Sequence, residues 1–122
     1  MLRNPQQVKL LTSASRTTSQ TNQYFKNPEG ARQLMVTVNV TVAGTGSITP
    51  VVGFVDANGV KVPLLTGAAQ TGNGAVNLQV GMDLTAAANL VAKNCIPASL
   101  YVDITANNAN PVTYSVAAEL LP

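Results

Sequence analysis

Residues 34–42 read Leu-Met-Val-Thr-Val-Asn-Val-Thr-Val, and the alternation within them sets the fold class. Val36, Val38, Val40 and Val42 recur at every second position, with Thr37, Asn39 and Thr41 between them. A period of two puts alternate side chains on opposite faces of a pleated strand, here one apolar and one polar. Valine, branched at Cβ, suits such a half-buried surface. Gly44-Thr45-Gly46-Ser47 then reads as a turn, and a second strand is predicted from Ile48 to Val55.

Ile48, Pro50, Val52 and Phe54 share one face of that second strand, and Val51 and Val55 share the other. Pro50 has no N–H to give to a ladder, which predicts an edge strand or a bulge. With both faces apolar, Val51 and Val55 are candidate protein-contact residues. Asp56-Ala57-Asn58-Gly59 is a hairpin turn, because Asn-Gly accepts the positive φ of a tight reversal. The returning strand, Val60 to Leu65, is expected to face Val60, Val62 and Leu64 inward. Ala75–Val80, Leu100–Thr105 and Val112–Leu120 alternate in the same way, and Val8–Thr12 is a further candidate. Helix signals occur only over 83–93, where Asp83 could cap a turn containing Ala86, Ala87 and Ala88.

Short strands with turns between them predict an all-β fold. It is a single antiparallel β-sandwich or jelly-roll-like barrel of seven to eight strands, with at most one short helix near 83–93. At 122 residues the chain makes one domain. Residues 31–122 form the sandwich body, and 1–30 are an N-terminal basic arm or first strand.

Charged residues make up 10% of the chain, against about 25% in an ordinary globular protein. Charge is depleted at the cores of protein interfaces, so the expectation is a surface largely covered by neighbours, as in a homo-oligomer. Residues 1–32 hold Arg3, Lys9, Arg16, Lys26 and Arg32 against Glu29 alone. These cations stand apart among amides and hydroxyls and form no phosphate-neutralising block. Arg3, Lys9 and Arg16 are therefore candidate contacts to an acidic protein neighbour, and no nucleic-acid partner is expected.

With no histidine, the serine-histidine, cysteine-histidine and histidine-metal arrangements are excluded. The five carboxylates fall singly, so no catalytic residues, metal site or cofactor is expected and the chain reads as a non-enzyme. The single cysteine, Cys95, reads as a small buried hydrophobe suited to a reducing compartment. Tyr24 and Phe25 read as anchors of the N-terminal segment, and Tyr101 and Tyr114 as strand residues with hydroxyls at the rim. The opening MLRNPQQVKLLTSAS lacks the sustained apolar run of a secretory signal. No stretch reaches the apolar length of a membrane-spanning helix. Synthesis in a host cytoplasm without secretion or membrane association is the expectation.

GTGSITPVVGFVDANGVKVPLLTGAA (44–69), DLTAAANLVAKNCIPASLYVDIT (83–105) and YSVAAELL (114–121) resemble a family of small tailed-bacteriophage virion proteins, similar to capsid decoration, or cement, proteins. In that family the strand after the Gly-rich turn is more polar on its outer face than Val51 and Val55 make it here. The resemblance implies a compact β domain, dimeric or trimeric. It would sit on the virion surface with the major capsid protein or another virion protein as partner. A tail, neck or fibre-associated component uses the same physics, and a small carbohydrate-binding β module is the reading from a different class.

Overall fold

The computed structural model describes residues 4–122. Nine strands run through them: β1 (Gln6–Arg16), β2 (Gln20–Lys26), β3 (Gln33–Val42), β4 (Ile48–Val55), β5 (Lys61–Thr66), β6 (Gly74–Gly81), β7 (Val91–Ala92), β8 (Ser99–Ala106) and β9 (Val112–Leu121). They form a five-stranded sheet, β1-β9-β3-β6-β7, and a four-stranded sheet, β2-β8-β4-β5. Every pairing is antiparallel except the two-residue contact of β7 with β6.

The pairs β1·β9, β2·β8, β3·β6 and β4·β5 are those of one long antiparallel hairpin folded at the β4–β5 turn. Rolling that hairpin up adds β3·β9 and β4·β8. The result is a jelly roll, with β7 as a small addition to one edge.

The core lies between the two sheets. Leu34, Val36, Val38 and Val40 of β3 and Leu78 and Val80 of β6 face Val52 of β4 and Leu100, Val102 and Ile104 of β8. Val42 breaks the sequence pattern. A register shift between Val40 and Val42 carries it past the end of the sandwich, where it is 57% exposed.

β4 is an inner strand between β8 and β5, not the expected edge. Pro50 is tolerated because of where its nitrogen points. Its carbonyl accepts the Gly67 N–H at 2.8 Å, just beyond the last β4·β5 pair, Val51 with Thr66. N and C=O of one residue face the same neighbour in an antiparallel ladder, so the missing donor falls where β5 has ended. The expected bulge lies opposite, in β5. The register shifts between Val52–Leu65 and Gly53–Pro63, so Leu65 is buried in place of Leu64, and Val60 is left exposed in the turn.

No helix forms among the described residues, and 83–93 is turns plus β7. A stretch this short is a marginal helix on its own. Instead Asn89 takes a left-handed φ of 62° and the Ala87 carbonyl accepts the N–H groups of Leu90 and Val91. Val91 is thereby set beside Gln79 of β6. β2 and β7 bring the strand count to nine. Residues 6–16 and 20–26 each add a strand to a different sheet. Tyr101 and Tyr114 are both buried, not set at the rim, whereas Cys95 is exposed.

Candidate protein-contact surface

The outer face of the four-stranded sheet carries the most elaborated side-chain arrangement. On β4 the outward positions are Thr49, Val51, Gly53 and Val55. Tyr101 of β8 stands opposite Gly53, and Asp103 opposite Val51. Tyr24 of β2 pairs with Tyr101, and Lys61 of β5 with Val55.

Gly53 permits this arrangement. A Cβ built there would come within 2.6 Å of the Tyr101 ring and hydroxyl, and would also strike the Val62 carbonyl. Without it the Tyr101 ring lies down on the sheet and is 3% exposed despite its outward position.

Lys61 covers the same ring from above, with Nζ 4.6 Å from the centroid, a cation–π contact. Its ammonium pairs with Asp103 Oδ2 at 2.6 Å and donates to Asn22 Oδ1 at 2.8 Å. A register shift in β2 between Gln20 and Gln23 puts Asn22 at a left-handed φ of 61°. Its backbone N–H then donates to Asp103 Oδ1 at 2.7 Å. The cluster braces β2, β8 and β5 across the outside of the sheet.

The hydrogen bond to Asp103 raises the Lys61 pKa above its ordinary 10.5, against the opposing cost of desolvation. Burial raises the Tyr101 phenol above 10.0, Asp103 adds to this, and Lys61 opposes it. Both groups are held in their protonated forms at neutral pH. Chemically the site is an ion pair laid over a covered ring.

Beside this polar cluster the face also carries apolar surface. Tyr24 is 57% exposed. Val55 lines an open groove of about 380 Å³ with Tyr24, Phe25, Lys26, Ser99 and Leu100. Val51 and Val55 are each half-buried, so the face holds both predicted apolar contact residues. Phe25 is the anchor expected of it, but Tyr24 is not.

The predicted basic contacts lie elsewhere. Lys9 is exposed on β1, the edge strand of the other sheet, opposite Ala117. Arg16 ends β1 and is used internally. It donates to the carbonyls of Thr12 at 2.6 Å, Tyr114 at 2.7 Å and Ala14 at 3.3 Å, and stacks 4.8 Å over the Tyr114 ring. Arg3 lies outside the described residues. Among the described residues no three of His, Cys, Asp and Glu gather where they could hold a metal ion.

The Gly53–Tyr101 fit and the Lys61–Asp103–Asn22 brace escape sequence reasoning. Their members are up to 81 positions apart, and only the pairing order brings them together. The alternation of Tyr101 and Asp103 with Leu100, Val102 and Ile104 did carry one signal, that both point outward.

No family model matches the chain, and no curated protein matches it in sequence. Among solved structures, the SPBc2 prophage-derived protein YomS is similar, with a TM-score of 0.56 and 14% sequence identity. The match covers 98% of this chain and 96% of that one. The two share a fold.

Proposed function

We propose that this protein is a structural component of a tailed-phage particle, a decoration protein bound to the outer surface of the major capsid protein lattice. The observation that carries the reading is the end-to-end likeness of its jelly roll to a prophage-derived protein. That likeness is an analogy of fold. The low charge agrees with a surface meant to be covered.

The mechanism is surface complementarity. A stable contact needs roughly 800 Å² on each partner, which a domain of this size supplies from one face or one end. The apolar positions on the outer face of the four-stranded sheet, Tyr24, Val51 and Val55, serve contact between copies. Many modest contacts, repeated over a lattice, then hold neighbouring capsid subunits against internal pressure.

The test is to purify particles of the phage that encodes the chain and to locate the protein in averaged density. Density on the head shell is expected. Density confined to the tail, neck or fibres would replace decoration with the other virion role, and particles lacking the chain would end the virion reading.

A further inference from the structure

Charge is distributed unevenly along the long axis of the jelly roll. Four connections meet at one end: 17–19, 43–47, 67–73 and 107–111. None contains Asp, Glu, Lys or Arg. The connections at the opposite end, 27–32, 56–60 and 82–98, hold Glu29, Arg32, Asp56, Asp83 and Lys93. The cation nearest the uncharged end, Arg16, folds back along β1 onto the carbonyls of Thr12 and Ala14.

The uncharged end is also internally fastened. Asn107 donates through Nδ2 to Ser47 Oγ at 2.8 Å and to Thr49 Oγ1 at 2.9 Å, and its N–H reaches the Ser47 carbonyl. Asn108 and Asn110 both donate to the Thr45 carbonyl. Asn73 Oδ1 accepts the Ala43 N–H at 2.9 Å. Gly46 packs so closely under 110–112 that a Cβ would overlap Val112. Loops tied to one another this way lose little freedom on binding, which removes a main cost of association. Apolar surface sits among them, with Val42 57% exposed and Ala68, Ala109 and Pro111 open to solvent.

From this juxtaposition of absent charge, prefastened loops and exposed apolar groups, we infer that the 17–19/43–47/67–73/107–111 end is the surface that docks onto the protein lattice. The partner surface it meets is itself uncharged. The inference rests on the particle reading and specifies which part of the domain makes the contact. An end without cations has nothing to offer phosphates or anionic headgroups. It fits a neutral protein surface by shape and by amide hydrogen bonds. Charge buried against such a surface would be unpaired and strongly opposed.

The experiment uses particles of the encoding phage assembled without this chain, and measures binding of three full-length proteins. These are the wild type, Ala68→Glu with Ala109→Glu at the uncharged end, and Ala57→Glu with Ala86→Glu at the opposite end. All four alanines are exposed, and circular dichroism and gel filtration verify fold and oligomeric state. The expected result is equal binding by the wild type and the 57/86 variant, and at least ~tenfold weaker binding by the 68/109 variant. Undiminished binding by the 68/109 variant overturns the inference and leaves the particle reading standing. Failure of the wild type to bind any particle overturns both. Should the 68/109 variant misfold, the salt dependence of wild-type binding decides. Affinity constant within about twofold from ~50 to ~500 mM salt is expected, and a steep fall overturns the inference.

Discussion

The ring of Tyr101 occupies the space that a side chain at Gly53 would fill, so these two residues fix the outer surface of the four-stranded sheet together. Gly53→Ala forces its new methyl against both the ring and the Val62 backbone. Backbone cannot yield as a side-chain tip can. The expected cost is about 1–3 kcal/mol, the range for overpacking, read from the shift in urea midpoint at unchanged slope. Tyr101→Ala in the same background should relieve part of it, since the two changes share one contact.

Val51 and Val55 lie half-buried on the same face. Replacing both with Lys should weaken association between copies while leaving the far-ultraviolet spectrum and the cooperativity of melting intact. Sedimentation velocity makes the comparison. Unfolding of the doubly substituted protein would mean that these side chains belong to the core.

Tyr114 Oη is buried without a hydrogen-bond partner among the described residues, although the ring fills the core and carries Arg16 above it. An unpaired buried hydroxyl costs stability, so Tyr114→Phe should stabilise the domain by about 1 kcal/mol. Chemical denaturation at neutral pH reads this directly. Loss of stability on removing the hydroxyl would show that it does make a bond.

Three groups tie stability to alkaline pH. The Lys61 pKa is raised above 10.5 by its bond to Asp103, and burial raises Tyr101 and Tyr114 above 10.0. A group whose folded pKa exceeds its unfolded value binds more protons when folded. Its contribution is therefore complete below the unfolded value and is lost as pH climbs through the folded one. Stability from these groups should be flat up to about pH 10 and fall above it. Asp103→Asn should lower the Lys61 pKa, which backbone and side-chain NMR titration can follow.

Much of the fold was legible in the sequence because one physical signal recurs. The period of two in 34–42, 75–80, 100–105 and 112–120 states which residues face inward, and apart from Val42 and Tyr101 the buried positions follow it. Signals that depend on pairing were not legible. Pro50 suggests an edge when read alone, yet it lies in an inner strand beside the point where β5 stops. Likewise Ala86–Ala88 carries helix propensity, but Asn89 turns the chain and β6 captures Val91. Of the candidate contact surface, the sequence shows Val51 and Val55 as apolar residues on the outer side of β4. Arg16 could not be separated from Lys9, because only the folded strand shows one guanidinium committed to carbonyls and one ammonium left outward.

Location within the virion tests the central claim most directly. On the proposed reading, the nine-stranded jelly roll should fit repeated features on the outside of the head in averaged density of phage particles, between neighbouring subunits of the shell. Intact, infectious particles with no copy of the chain anywhere in head or tail would contradict it.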